Sequence, residues 1–333
     1  MLQSFPEPRP TTNPYLVLLR ESIDATGAAT VLTFSWRRAL TASYDVFHVH
    51  WPEILVSGHS PLKKAVRQAL FLLLLLRLRV TRTPLVRTLH NLELPSGISR
   101  RERVLLRLGE RATSLWVLIN EQTPAAPGRA WVRVLHGHYR PWFARFAGPV
   151  PSRPQRVAFV GLVRRYKGVD GLVQAFRGTA DRAPLASLVV AGRPSSEELV
   201  AGLRSAADTD PRIELDLRFL SEDELVAHTS GAELVALPYR EMHNSGSVLA
   251  ALSLDRPVLV PDNEVNRALA AEVGPGWVHT YPGELTDEAL LAAMEQAGQR
   301  PPGRPDLGRR EWGPAGQAHV AAYRAAIAAY RSR

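Results

Sequence analysis

Short apolar runs alternate with longer amphipathic stretches along nearly the whole chain, a rhythm that predicts strands separated by helices. In the first half, strands are expected at 2–5, 30–34, 46–50, 85–89, 115–119 and 132–135. Helical spacing falls between them at 14–25, 61–79 and 99–111, the last opening with Ser99 and Glu102 placed as a capping box. The proline-rich stretch 148–154 breaks the pattern, so a domain joint is expected there. The rhythm resumes over 157–296, a polar stretch follows at 298–307, and a last helix is expected at 314–330. Such alternation makes parallel sheets. The chain therefore reads as α/β, with one domain over 1–150, a second over 151–310 and a terminal helical segment over 311–333.

Composition narrows the function. With 333 residues the chain is long for one core and suits two. It has no cysteine, which excludes disulfides, thiolate metal sites and a thiol nucleophile, and is compatible with a reducing cytoplasm. The opening MLQSFPEPRP lacks the basic-then-apolar pattern of an export signal. The formal net charge of +9 is unevenly spread: residues 1–150 hold 20 Lys+Arg against 9 Asp+Glu, and the rest 21 against 23. No nucleic-acid signature or interleaved aromatic platform accompanies the excess, so nucleic acid is not the expected partner. The basic residues instead gather at 61–111, 12 against 3 acidic. Within that stretch, 69–76 is an apolar run too short to span a bilayer, flanked by Lys63, Lys64, Arg67, Arg77 and Arg79. Two readings stand: a buried helix with basic ends, or an interfacial helix making peripheral contact with an anionic membrane from the cytoplasmic side.

Residues 157–176, VAFVGLVRRYKGVDGLVQAF, carry the sharpest chemistry. An apolar strand ends at Gly161, and a basic run with Arg164, Arg165 and Lys167 leads into a helix. A helix start offers unpaired N–H groups and the positive end of a dipole, to which these cations would add for a phosphate. Lys167 is one of only three lysines beside 38 arginines, which suggests a site suited to a compact ammonium. A second glycine-bearing loop, Asn244-Ser245-Gly246-Ser247, precedes a later helix and would let backbone N–H groups approach a diphosphate.

The segment resembles the donor-domain signature of GT-B nucleotide-sugar glycosyltransferases, especially family 4. Four further stretches resemble that family in order: LVVAGRP from 188, IELDLRFLSEDEL from 213, ELVALPY from 233 and AALSLDRPVLVP from 250. The resemblance implies two Rossmann-like domains with parallel sheets facing across a cleft and a C-terminal helix crossing back to the first domain. It also implies a nucleotide-diphosphate sugar on Gly161, Arg164, Arg165, Lys167 and the 244–247 loop, with Phe219 and Leu220 meeting the base. Retaining members carry two glutamates eight residues apart, and the ungapped match here gives Met242 and Ala250; Glu241 recovers the first by a one-residue shift. The loop, Asn13-Pro14-Tyr15 and the block from His48 to Glu53 look more like a bacterial exopolysaccharide branch that includes glycolipid β-1,4-mannosyltransferases. That likeness implies mannose from GDP-mannose and a saccharide or polyprenyl-diphosphate glycolipid as acceptor. Inverting transfer, retaining transfer through Glu241, and a sugar-nucleotide-binding protein without catalysis all remain open.

Ligands of parallel α/β sheets bind beyond the carboxyl ends of the strands. One such end delivers Trp51 and Glu53, and another His90 and Glu93. Glu53, His90 and Glu93 are each suited to take a proton from an acceptor hydroxyl, and Trp51 to stack on a sugar. Asn13 and His136 are further candidates for substrate contact, although His136-Gly137 would also serve as a hinge. Asp208-Thr209-Asp210 looks like the metal-binding pair of another glycosyltransferase fold, but no strand leads into it and a hydrated turn is expected. No other cluster of oxygen or imidazole ligands stands out, so neither a metal nor another cofactor is expected.

Overall fold

Eleven strands form two sheets among the described residues of the computed structural model, which are 1–91, 94, 97–146, 148–240, 242, 246–299 and 303–332. The first sheet runs β1 (Leu2–Gln3), β2 (Phe47–Val49), β3 (Leu85–Leu89), β4 (Thr113–Leu118) and β5 (Trp131–Arg133), in that spatial order. The second is built from β6 (Arg156–Val160), β7 (Ser187–Ala191), β8 (Ile213–Asp216), β9 (Leu234–Ala236), β10 (Val258–Pro261) and β11 (Val278–Tyr281), ordered β11-β10-β9-β6-β7-β8. Every pairing between these strands is parallel. The α/β expectation with two parallel sheets is borne out.

The chain divides into two compact units, Met1–Gly137 with Arg310–Arg333, and His138–Arg309. The division falls ahead of the proline-rich stretch. Residues just past it are already committed to the second unit, where Tyr139 N donates to Ser253 Oγ at 2.8 Å and Trp142 Nε1 to Glu222 at 2.9 Å.

In the first unit Phe47, Val49, Leu85, Phe71, Leu74, Leu78 and Leu105 form a core between the sheet and two helices, Pro61–Val80 and Arg100–Ala112. The capping box forms as expected, Ser99 and Glu102 exchanging both bonds. The helix Trp312–Arg331 packs on Pro14–Asp24, and the contact needs glycine: a Cβ on Gly316 would meet Ser22 O at 2.3 Å. One expected strand is absent. Residues 30–34 make a single bridge, Leu2 with Leu32, because Ser35 at once caps a helix, Trp36–Thr41, that the apolar pattern did not suggest.

In the second unit Phe159, Phe176, Leu172 and Leu188 are fully buried. Asp208-Thr209-Asp210 differs from the hydrated turn expected of it. Asp210 is buried and bonded to Arg212 at 2.7 Å, and the Arg212 guanidinium lies over the Phe176 ring, so the aspartate ties a turn to the core. Among the described residues no helix is long and apolar enough to cross a membrane.

Candidate active site

In the second unit the chemistry gathers where β6 and β9 end. Gly161 leaves β6 at φ 129° and Gly168 stands at φ 64°, backbone that side chains other than glycine rarely adopt. Gly168 also touches the next loop so closely that a Cβ would lie 2.1 Å from Pro238 O. That approach sets Lys167 beside Tyr239. The ammonium is buried, 4.9 Å from the Tyr239 ring centroid and 5.8 Å from that of Phe159. No carboxylate pairs with it among the described residues. Burial lowers its pKa to about 8, with the Arg164 charge acting the same way. The spacing of three cations could not rank them, but the structure does. Lys167 points inward, Arg165 is drawn outward into an ion pair with Glu198, and Arg164 is exposed.

The rest of this edge is in keeping with an anion site. The helix Gly246–Ser253 opens here, and Ser247 Oγ accepts from the Tyr239 hydroxyl at 3.0 Å. The turn carrying Phe219 and Leu220 is held by Arg218, which pairs with Asp216 and Glu224 and leaves Phe219 exposed. Glu241, Asn244 and Ser245 lie outside the described residues, as does Glu93 in the first unit.

The corresponding edge of the first unit is a cluster of rings. His48 and His50 alternate along β2 and its end, so both leave the sheet on one side. His50 Nδ1 lies 3.2 Å from His90 Nε2, and Trp51 stacks on His90 with centroids 4.2 Å apart. Tyr15 sits among His50, His90, His136 and Trp312. Burial drives His48, His50 and His90 well below the usual imidazole range and His136 and His319 to about 4, so all five are neutral at pH 7.

Several candidates take definite places. Asn13 caps the first helix, its Oδ1 accepting from Tyr15 N at 3.0 Å. The His136-Gly137 turn is pinned by Trp312, with Arg310 donating to the His136 carbonyl at 3.2 Å. Glu53 opens the helix Glu53–Val56 half-buried; burial raises its pKa, outweighing its own backbone bond and the Arg87 charge. Gln3, His319 and Tyr323 also join this cluster, and no local pattern announces them, since they arrive from the two ends of the chain.

The comparisons agree with this architecture. Residues 154–297 match the family described as glycosyl transferases group 1. Over 329 residues the chain is 43% identical to a GDP-mannose:glycolipid 4-beta-D-mannosyltransferase of Xanthomonas campestris pv. campestris, covering 98% of this chain and 92% of that one. Among solved structures it resembles Anabaena HepE in complex with UDP, with a TM-score of 0.61, 16% identity and coverage of 99% and 97%. WaaG, a glycosyltransferase of lipopolysaccharide biosynthesis, aligns at a TM-score of 0.56 with 11% identity and coverage of 96% and 94%. At such identities these two speak for the fold alone, and that fold is GT-B. The near-complete match to the mannosyltransferase goes further: the chain belongs to that family and is a glycosyltransferase, a hexosyltransferase.

Proposed function

We propose that the enzyme moves mannose from GDP-mannose to a saccharide carried on a glycolipid, with inversion and without a metal ion. The observation that carries donor and acceptor is the 43% identity to the mannosyltransferase along 98% of the chain. The acceptor hydroxyl oxygen forms a bond to the anomeric carbon as the bond from that carbon to the diphosphate breaks. The hydroxyl proton passes to a base, and GDP departs with the electron pair. Lys167, a buried ammonium without a carboxylate partner among the described residues, suits the charge gathering on the diphosphate, together with the N–H groups opening Gly246–Ser253. Met242 and Ala250 stand where retaining relatives would carry glutamates, which favours inversion.

Glu53 is the better base. Burial pushes its carboxyl up, toward the range useful near neutral pH, whereas it pushes His90 down and away from it. His90 with the stacked Trp51 then forms the wall against which the acceptor sugar lies. Anomeric NMR of the product made from GDP-mannose tests the reading: a β-linked mannoside is expected, and an α-linkage or no transfer overturns it.

The reading extends to an anionic membrane as the surface that presents the acceptor. The helix Pro61–Val80 buries Phe71, Leu74 and Leu78 yet exposes Leu62, Val66, Leu73, Leu76 and Val80 as a second stripe on its opposite side. Alongside it, Arg100–Ala112 exposes Val104 and Leu108 among Arg100, Arg101, Arg107 and Arg111. Apolar stripe and basic collar together suit anionic lipid. Salt-sensitive co-flotation with phosphatidylglycerol vesicles, abolished by Leu73→Glu with Leu76→Glu, is expected. Equal recovery on neutral phosphatidylcholine vesicles overturns this part.

A further inference from the structure

Between β4 and β5 the chain runs through 119–130 without a helix, and a recess of about 160 Å3 opens there beside the helix Arg100–Ala112. Arg87, Trp116 and Trp131 are register partners across β3, β4 and β5. Their side chains therefore leave the sheet on one side, and all three line the recess. The Arg87 guanidinium lies 4.9 Å from the Trp116 ring centroid. Its Nε–H and the Trp116 indole N–H are both buried, and neither has a hydrogen-bond partner among the described residues. Glu110 and Glu53 act on Arg87 only through their charge. Burial outweighs them and pulls its pKa below the usual range.

Two unmet donors, one of them charged, are costly inside a protein and call for an acceptor with negative charge. The recess is smaller than the roughly 300–1,000 Å3 of an ordinary ligand pocket, so that acceptor is a small group at the end of a larger molecule. One guanidinium matches the single charge of a phosphodiester. The surroundings point to its source. Trp131 is 46% exposed at the rim, with the Arg133 guanidinium 5.3 Å from its ring centroid, an amphipathic ring and a cation of the kind that suits a membrane–water boundary. Glu110, in the recess wall, belongs to the same helix as the exposed Val104 and Leu108 and the basic Arg107 and Arg111.

We propose that Arg87 and the Trp116 indole N–H bind the phosphate of an anionic lipid headgroup. This rests on the membrane reading of the first unit and gives it a specific site beside the apolar stripe. The Glu110 carboxylate on the same wall suits the glycerol hydroxyls of phosphatidylglycerol.

The test is nitrogen–proton NMR of tryptophan-labelled protein with dihexanoylphosphatidylglycerol below its micelle concentration, using Trp116→Phe to assign the indole signal. The Trp116 N–H is expected to shift. Arg87→Met should weaken binding roughly 10- to 100-fold, the worth of a hydrogen bond to a charged group, and should lower flotation on phosphatidylglycerol vesicles. Where Arg87→Met fails to fold, Arg87→Lys keeps the charge without the planar fork and should still bind the short-chain lipid more weakly than wild type. A Trp116 signal that ignores the lipid, or that answers it equally in the Arg87 variants, overturns the proposal. So does flotation that these variants leave untouched, which makes the occupant a soluble phosphate ester. The protein carrying Leu73→Glu with Leu76→Glu separates the two readings, because it should leave the vesicles yet still bind the soluble lipid. Flotation of the wild type without a Trp116 response removes this inference alone, and a Trp116 response without flotation removes the membrane reading alone.

Discussion

The two sheets end in different chemistries. In the first unit the carboxyl ends of the strands carry packed imidazoles, of which His50 and His90 lie within hydrogen-bond distance of each other, and burial keeps His48, His50 and His90 uncharged. In the second unit the Lys167 ammonium is buried near the Tyr239 and Phe159 rings, and among the described residues no carboxylate pairs with it. A packed cluster of neutral rings favours shape; a buried cation with no carboxylate beside it among the described residues favours charge. One α/β plan thus yields an edge suited to neutral hydroxyls and another suited to a diphosphate, through the choice of side chains at strand ends.

Four experiments break or sharpen that contrast. The largest effect is expected from Glu53→Gln, which should lower kcat by about 10²–10⁴ with the donor KM unchanged, the usual worth of a general base; steady-state kinetics checks it. Lys167→Ala should weaken donor binding by roughly 10- to 100-fold, the worth of a charge-assisted hydrogen bond of about 1.5–3 kcal/mol, read by calorimetry with GDP. Gly168→Ala attacks the second edge through its backbone. With φ at 64° and Pro238 O in the way, it should cost about 1–3 kcal/mol in a denaturant titration.

The smallest and most diagnostic effect is in pH. Each buried histidine keeps its proton off in the folded state but takes one at 6.5 when unfolded, so the unfolded chain binds more protons between 6.5 and about 4. Stability should fall as pH falls through that window, by up to about 1.4 kcal/mol per pH unit for each such group. Lys167 acts on the other side: its folded pKa near 8 lies below 10.5, so stability should rise as pH climbs between them. Chemical denaturation from pH 4 to 10 reads both, and His319→Phe should flatten only the acid limb.

Much of this was legible in the sequence. The strand–helix rhythm located both sheets, and the glycines at 161 and 168 marked the loop that sets Lys167. What escaped depended on partners far along the chain. Arg165 looks as fit for phosphate as Lys167 until Glu198 claims it. Asp210 reads as solvated because Phe176, which its partner Arg212 covers, lies on another element. His48 and His50 announce a common side by alternation, but the residues that orient them, Gln3 and Tyr323, sit near opposite ends of the sequence.

That last arrangement bears on how the protein is made. Tyr323 and His319, on the helix Trp312–Arg331, complete the polar interior of a unit that otherwise consists of the first 137 residues. A ribosome therefore finishes the unit at 138–309 before it supplies the piece that seals the one begun first. Until then His48 lacks the Tyr323 hydroxyl beside it, and the opening sheet waits half-clad for that helix.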